Sequence, residues 1–356
     1  MRPMIIEGDV REVLKTLESE SIQSVITSPP YWGLRDYGTA TWKGGDEDCN
    51  HLGRPIHHRA GLNERTHGKK YKTDKQGAVK ELYKRICQKC GAERVDKQVG
   101  LEESPEEYVK TMVGIFRELK RVLRDDGTVW LNLGDTYWNK GDKHSLLKPK
   151  DIVGIPFRVA FALQEDGWWL RQDIVWEKPN PMPEPAKDRC ARNHEYIFLL
   201  TKSHKYYFDS DAIKEPLAES SIPRLKLNID RQKGSVRRHG GDDSAYLHGK
   251  KEMDIVKAYG DPVKGRNKRS VWKIATQPFS EVHFATFPET LPETCIKAST
   301  KKGDTVMDIF AGSGTTLSVA SRLGRKSIGI ELSPEYIKIL KKRCKIDSVD
   351  LSDFGL

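Results

Sequence analysis

Apolar residues recur with two different periods along the chain, and the alternation between them predicts an α/β protein. Residues 4–6 form a short apolar run, and Val10, Val13 and Leu14 then recur at the spacing of an amphipathic helix. A second apolar run, 24–26, follows and ends at two consecutive prolines. A strand, a helix and a second strand in this order predict a βαβ unit and therefore a parallel sheet.

Strand and helix patterns alternate again between residues 101 and 208. Ser104 to Glu107 is a capping box with proline at the first helical position, which predicts the start of a helix that ends at Asp126-Gly127. The remaining predicted elements of this part are a strand over 128–133, a helix over 155–164, and strands over 169–176, 194–200 and 206–208.

The same alternation returns near the end of the chain. A strand over 305–309 leads through a turn of small residues into a helix over 317–323. A second strand, 327–330, precedes a final helix that begins at Ser333. These elements predict a second βαβ unit.

Two stretches between these parts lack apolar periodicity and carry clusters of Lys and Arg. Stretches of this length without regular pattern are usually inserted loops or small subdomains. We therefore expect five segments, with boundaries at 1–38, 39–100, 101–208, 209–270 and 271–356.

Composition narrows the class of protein. The 356 residues are 37% hydrophobic, and the mean hydropathy of −0.64 fits a soluble protein. No apolar run approaches the roughly 20 residues of a membrane span, and the first ten residues lack a signal-peptide profile. Six cysteines in a chain of this length do not suggest a disulfide scaffold, so we expect the reducing cytoplasm. A formal charge of +10 favours a polyanionic partner.

A glycine-rich turn between a strand and a helix is the first candidate site. Gly312 and Gly314 lack Cβ atoms and allow close approach of a ligand, and the helix that follows presents N–H groups to it. Glu331, at the end of the next strand, suits the two hydroxyls of a ribose. A tight structural turn would explain the glycines but not this acid. The candidate cofactor-binding residues are Asp308, Phe310, Ala311, Gly312, Ser313, Gly314, Thr315 and Glu331.

The second candidate site is the sequence Thr-Ser-Pro-Pro-Tyr-Trp at residues 27–32, at the carboxyl end of a predicted strand. Neither proline can donate to a strand ladder, so the strand must end here. Ligands of open α/β sheets bind at this edge. A hydroxyl, two rigid prolines and an aromatic ring indicate a clamp for a flat polar group. The candidate catalytic residues are Ser28, Pro29, Pro30 and Tyr31.

Taken together, D-x-F-A-G-S-G-T-T, G-I-E-L and T-S-P-P-Y-W resemble the motifs of the S-adenosylmethionine-dependent DNA amino-methyltransferases. The resemblance implies a Rossmann-like α/β fold with a mostly parallel central sheet. The catalytic motif precedes the cofactor motif, which is similar to the circularly permuted β-type order of this family. Segments 1–38, 101–208 and 271–356 would then form the methyltransferase domain, and 209–270 the target-recognition region.

The resemblance also implies roles for single residues. The glycine loop would hold the methionine part of the cofactor, and Glu331 its ribose. Asp9 is placed like the acid that accepts from the adenine amino group. Thr286 and Phe287 lie in an F-A-T-F-P element whose family counterpart contacts the methionine part. Residues 171–180 are similar to a further family element. The implied partner is double-stranded DNA, with a cognate restriction endonuclease left open.

Amine methylation needs help from the protein because the lone pair of an exocyclic amine is delocalised into the ring. Hydrogen bonds from the amine to Ser28 Oγ and the Pro29 carbonyl would direct its lone pair at the methyl group. Pro30 would stiffen the loop, and Tyr31 would stack on a base rotated out of the duplex. Carbon-5 methylation of cytosine needs a cysteine nucleophile, which follows a proline in the family of carbon-5 enzymes. The chain contains no Pro-Cys pair, so methylation of an amine is preferred.

Several alternatives stay open at this point. Ser at position 28 is typical of N4-cytosine enzymes in the resembled family, whereas Asp or Asn is typical of N6-adenine enzymes, so N4-cytosine is preferred over N6-adenine. An RNA or protein amine methyltransferase is a second alternative. A non-catalytic, zinc-bearing DNA-binding protein on the same scaffold is a third.

Cysteine and histidine spacing within 39–100 predicts a structural zinc site. Cys87-x-x-Cys90-Gly91 is half of a zinc ribbon, and Cys49-x-His51 would complete a tetrahedral set. An irregular insertion has little core of its own, so a metal would supply the energy that orders it. The simpler interpretation is two pairs of reduced surface residues. His57, His58 and His67 are rival ligands.

Overall fold

A computed structural model gives the fold and describes residues 2–34, 37–46, 48–49, 86–87, 89–138, 146–217, 265–277 and 288–345. The chain divides into two compact units. The larger unit comprises Met1–Arg35 and Val99–Leu356, and the smaller one comprises Asp36–Gln98.

The described part of the larger unit contains strands and helices in alternation. Its strands are β1 (Met4–Glu7), β2 (Ile22–Thr27), β5 (Leu123–Leu133), β6 (Trp169–Glu177), β7 (His194–Thr201), β8 (Val271–Lys273), β9 (Thr305–Asp308) and β10 (Lys326–Glu331). Its α-helices are α1 (Val10–Thr16), α2 (Pro105–Val122), α3 (Ile155–Glu165), α4 (Thr290–Ser299), α5 (Thr315–Arg322) and α6 (Pro334–Cys344). The smaller unit contributes β3 (Thr41–Lys43) and β4 (Glu93–Val95).

Eight strands of the larger unit form one sheet in the order β1-β10-β9-β2-β5-β7-β6-β8. Strand β7 runs antiparallel to both of its neighbours, and the other pairs in the sheet are parallel. The predicted α/β fold with a mostly parallel sheet is therefore confirmed. The carboxyl ends of β1, β10, β9, β2, β5 and β6, and the amino end of β7, lie along one edge.

Helix α2 shows how the sequence sets an element boundary. The Ser104 side chain accepts from the Glu107 backbone N–H over 3.2 Å, and Pro105 occupies the first turn. The Glu107 carboxylate accepts from the backbone N–H of Glu103, one residue before the cap, at 3.1 Å. The buried face of the helix consists of Tyr108, Met112, Ile115, Phe116, Leu119 and Val122, as its 3.6-residue period predicts.

The sheet is covered on both faces, which explains why β2 is buried at every position. Val25 points into the cluster formed with α1, α2 and α3. Its neighbour Ile26 points into the second cluster, which includes Leu291 of α4 and Val319 of α5. Successive residues of a strand face opposite sides, so the sheet separates two apolar layers.

Two predictions about elements of the larger unit need correction, and two further elements were missed. Residues 206–208 do not form a strand: the Tyr207 N–H donates to the Asp126 carbonyl of β5, and Asp209, the residue after the segment, donates its N–H to the Ala298 carbonyl of α4. Strand β5 begins at Leu123, immediately after α2, rather than at residue 128. Helix α4, which carries a proline in its first turn, and the three-residue strand β8 were not predicted.

In the smaller unit, β3 and β4 pair antiparallel in the register Thr41↔Val95, Trp42↔Arg94 and Lys43↔Glu93. Glu93 of β4 also forms an isolated antiparallel bridge with Ile86. None of the helices in the described part of the chain combines the length and the apolar character that crossing a membrane requires.

Candidate active site

A cluster of hydrogen-bonded polar side chains occupies the sheet edge at the centre of the larger unit. Ser28 follows β2, Asn132 lies near the end of β5, and Glu195 lies at the start of β7. Tyr31 OH donates to Glu195 Oε2 over 2.7 Å, and Asn132 Nδ2 donates to the same oxygen over 3.2 Å. Lys178, just after β6, forms an ion pair with Glu195. Four strands thus contribute to one site.

The hydrogens available in this cluster determine which groups donate. The Tyr31 hydroxyl has one hydrogen, and the carboxylate of Glu195 is a stronger acceptor than Asn132 Oδ1, which lies 3.0 Å away. The Ser28 hydroxyl then donates to Asn132 Oδ1 at 3.1 Å or to Tyr31 OH at 3.3 Å. In either case Ser28 donates to the protein, and its lone pairs remain able to accept from a ligand.

The loop that carries Ser28 is tightly packed. Tyr108 OH donates to the Pro30 carbonyl over 3.0 Å, so this oxygen is occupied. Among the residues that the structure describes, none donates to the Pro29 carbonyl. A Cβ atom at Gly134 would lie 2.4 Å from Cε2 of Tyr31, so only glycine allows the ring to lie where it does. The predicted catalytic residues therefore share one rigid loop beside the polar cluster.

The glycine loop between β9 and α5 lies at the same sheet edge. Gly312 has a φ of 51° and Gly314 a φ of 78°, a region that other residues rarely adopt. A Cβ atom at Gly314 would also lie 2.7 Å from Leu340 of α6. Arg343 of α6 donates to the hydroxyls of Ser313 and Thr315 at 3.2 and 3.0 Å and thereby fixes the side of the loop opposite β9.

The Glu331 carboxylate lies beside this loop at the end of β10. Its Oε2 accepts from Gly312 N at 2.8 Å, and its Oε1 accepts from Ser333 N at 2.9 Å. Burial raises the pKa of Glu331, while these backbone N–H groups act in the opposite direction. A carboxylate has about four lone-pair sites, so Glu331 retains acceptor capacity for a ligand hydroxyl.

Asp308, at the end of β9, is 2% exposed and faces the protein interior. Its carboxylate accepts from Thr27 Oγ1 and from Thr316 Oγ1, each over 2.8 Å, and from Phe310 N over 3.1 Å. Burial raises the pKa of Asp308 to about 6. Asp308 therefore holds the glycine loop against β2. The remaining loop residue, Ala311, is buried and bonds through its N–H to the Ile330 carbonyl at 2.9 Å.

Asp9 follows β1 and caps α1. Its Oδ1 accepts from the backbone N–H of Arg11 at 3.0 Å, and both of its oxygens accept from the Arg11 guanidinium. Accepting from Arg11 raises the pKa of that guanidinium. Any ligand amine that reaches Asp9 must share the carboxylate with this arginine.

Some predicted site residues lie outside the described part of the chain: Thr286, Phe287, His51, the rival histidines His57, His58 and His67, and positions 218–264 of the predicted target-recognition region. The predicted cysteines Cys49, Cys87 and Cys90 are brought together, with their sulfurs all within 4.8 Å of one another.

The sequence did not predict that Asn132 or Glu195 belongs to the site. The sequence feature that could have indicated Glu195 is its position at the start of the apolar strand β7, where a charged side chain stands out.

Comparison with known proteins gives the family. The DNA methylase family model, for N6 and N4 methyltransferases, matches residues 22–342. Type II methyltransferase M.Cfr9I from Citrobacter freundii is 38% identical, with 95% of this chain and 86% of the relative aligned. Type II methyltransferase M.SmaI from Serratia marcescens is 36% identical, with 95% and 89% aligned.

Solved structures share the fold. The PvuII cytosine-N4-specific DNA methyltransferase aligns with a TM-score of 0.57 at 19% identity, covering 100% of this chain and 90% of its own. A putative DNA modification methylase from Thermus thermophilus, solved in complex with S-adenosyl-L-methionine, aligns with a TM-score of 0.50 at 20% identity, covering 96% and 93%. On the family match and the two curated relatives, this chain belongs to the DNA methylase family whose members methylate N4 of cytosine or N6 of adenine.

Proposed function

We propose that this DNA methyltransferase transfers the methyl group of S-adenosylmethionine to the exocyclic amine of a base rotated out of duplex DNA, with N4 of cytosine as its target. The observation that carries the proposal is the hydrogen-bond arrangement around Ser28. The Ser28 hydroxyl donates within the protein, to Asn132 or Tyr31, and so presents an acceptor at the mouth of the site.

Ser28 Oγ and the Pro29 carbonyl form a pair of acceptors on one rigid loop. Two N–H bonds of an amine could engage them together, which would draw the nitrogen toward tetrahedral geometry and localise its lone pair. Methyl transfer would form the nitrogen–methyl bond as the methyl–sulfur bond of the donor breaks with its electron pair going to sulfur, and the amine would release one proton to solvent water. The two acceptors stabilise the positive charge that develops on nitrogen during this step.

Tyr31 provides the stacking surface. Its ring lies against Gly134, and its hydroxyl is held by Glu195, which in turn is held by Lys178. A phenol fixed at its oxygen keeps its ring plane in one orientation, so the base would meet a preformed surface. We assign Glu195, Lys178 and Asn132 as positioning residues.

The methyl donor would occupy the glycine loop and the two acids beside it. Glu331 keeps acceptor capacity for the ribose hydroxyls, and Gly312 and Gly314 allow close approach to the methionine part. Asp9 would accept from the adenine amino group while it stays bonded to Arg11. Thr286 and Phe287 remain proposed contacts of the methionine part. Asp308 acts through the loop and does not face the ligand.

The choice of cytosine rests on Ser28, which is typical of N4-cytosine enzymes in the family. The same fold serves cytosine-N4 chemistry in the PvuII enzyme, so the fold is compatible with this target. Because M.Cfr9I and M.SmaI are type II methyltransferases, we also propose that the enzyme is site-specific and accompanies a restriction endonuclease. The formal charge of +10 suits the phosphate backbone of the substrate.

A tritium-transfer assay with labelled S-adenosylmethionine tests the reaction class. Incorporation is expected into duplex DNA and not into tRNA or protein. Ser28→Ala should lower the rate constant by about 100-fold or more while DNA binding persists, because one acceptor of the developing charge is removed. Ser21→Ala, at an exposed serine on the loop before β2, is the matched control and should retain full activity. Full activity in Ser28→Ala would refute the role assigned to Ser28.

A further inference from the structure

Three cysteines of the smaller unit converge although 38 residues separate the first from the second. The sulfurs of Cys49, Cys87 and Cys90 all lie within 4.8 Å of one another. Cys87 is buried, and Cys49 and Cys90 are half-buried. Three thiols gathered at this distance form a potential metal-ligand set.

Two separate turns present these thiols. Gly91, with a φ of 74°, donates its N–H to the Cys87 carbonyl over 2.9 Å and closes the turn that carries Cys87 and Cys90. Cys49 N donates to the Asp46 carbonyl over 3.1 Å and closes the second turn. A Cβ atom at Gly45 would lie 2.8 Å from Cys90 Sγ, so the second turn packs directly against the first.

The separation between the Cys49 and Cys87 sulfurs matches a tetrahedral metal site better than a disulfide. Zn–S bonds of about 2.3 Å place neighbouring sulfurs of a tetrahedron about 3.8 Å apart. Cys49 Sγ and Cys87 Sγ lie 3.9 Å apart. A disulfide would require about 2.05 Å between the same atoms, and neither cysteine forms one.

The described residues of the smaller unit have a small apolar core. Cys87 and Ala92 are the buried apolar side chains among its described residues. Its sheet has two strands of three residues each, and a two-stranded sheet of this size is marginal in water. A bound metal would supply the missing energy, since a preformed thiolate set binds zinc and orders the chain around it.

We propose that Cys49, Cys87 and Cys90 bind a structural zinc ion that stabilises the smaller unit, independently of the methyl-transfer site. The thiolate-rich donor set favours zinc over magnesium or calcium, which prefer oxygen. His51 is the fourth ligand predicted from the sequence and lies outside the described residues. The proposal rests on the three thiols.

Elemental analysis of the full-length protein, purified without a histidine tag or chelator, tests the proposal. One zinc per chain is expected. Cys49→Ser, Cys87→Ser and Cys90→Ser should each lose it. Cys190→Ser, at an exposed cysteine outside the cluster, is the matched control and should keep it.

If the serine variants fail to fold, cobalt binding to the wild-type protein tests the metal site without any substitution. Wild-type protein whose metal has been removed with a chelator is titrated with Co²⁺. An intense thiolate-to-cobalt charge-transfer absorption that saturates at one equivalent, and that Zn²⁺ then removes, supports the site. Absence of zinc in the purified protein together with absence of this absorption would overturn the proposal.

Discussion

Thr27 Oγ1 donates to Asp308 Oδ1 over 2.8 Å, across 281 residues of sequence. Thr27 precedes Ser28, the proposed acceptor of the target amine, and Asp308 precedes the glycine loop. Both side chains are fully or almost fully buried. Together with the pairing of β2 and β9, this hydrogen bond in the core holds the loop assigned to the base beside the loop assigned to the methyl donor.

Thr27→Val should remove the hydrogen bond between Thr27 and Asp308 without altering the shape of the core, because valine and threonine have the same shape. The substitution removes a donor from a buried carboxylate, and we expect a loss of about 1.5–3 kcal/mol in the free energy of unfolding. Affinity for S-adenosylmethionine should fall several-fold because the loop is less firmly held. Thr305→Val, at the start of the strand that carries Asp308, is the control. Unchanged affinity and stability in Thr27→Val would contradict the assigned coupling.

The raised pKa of Asp308 predicts a pH dependence of stability. An acid whose pKa is about 6 in the folded protein, above its ordinary 3.8, binds more protons when folded. The free energy of unfolding should therefore rise as pH falls through 6, by about 2 kcal/mol between pH 7 and pH 4.5. Asp308→Asn should lack this contribution. Urea unfolding of both proteins across this range measures the difference, and parallel curves would contradict the prediction.

Gly134→Ala should reduce activity through the position of Tyr31. The new Cβ would lie 2.4 Å from the Tyr31 ring and must displace it. A shift of about 1 Å in a positioning group costs about 100-fold in kcat/KM. Gly114→Ala on α2 is the matched control, since a Cβ there meets nothing within 4 Å. That control should keep full activity and gain about 0.5–1 kcal/mol of stability. Equal activity of the two variants would rule out this role for Gly134.

The hydrogen bond from Tyr31 to Glu195 can be tested with a double-mutant cycle. Tyr31→Phe and Glu195→Gln should each lower kcat by about 10-fold, because each weakens the same bond. The double variant should lose little more than either single one. Glu165→Gln, at an exposed position on α3, replaces Glu195→Gln in the control cycle and should combine additively with Tyr31→Phe. Full additivity in the first cycle would show that Glu195 does not act through Tyr31.

The order of residue types within short stretches of sequence predicted the parts of the site that are formed by residues adjacent in the chain. Ser28 and its prolines follow a strand, and the glycines of the 308–315 motif separate a strand from a helix. Both features depend on backbone geometry within a few residues, so the sequence displays them directly. The pairing of β2 with β9 was not predicted, because the sequence does not show that β9 and β10 lie between β1 and β2 in the sheet.

Contacts between distant residues could not be predicted in this way. Asn132 and Glu195 are 63 residues apart and meet because β7 runs antiparallel beside β5. Neither strand contains a sequence pattern that predicts the register in which β5 pairs with β7. The segment 206–208 has the composition of a strand, but the N–H groups of Tyr207 and of the next residue after the segment, Asp209, bond to two different elements, and only the tertiary structure determines these partners.

The identity of the methylated base tests the central claim most directly. Duplex DNA from an unmethylated host is incubated with the enzyme and S-adenosylmethionine, digested to nucleosides, and analysed by mass spectrometry. We expect N4-methyl-2′-deoxycytidine as the product, formed more slowly by about 100-fold or more when Ser28→Ala replaces the wild type. N6-methyl-2′-deoxyadenosine without N4-methyl-2′-deoxycytidine would contradict the assignment of cytosine from Ser28.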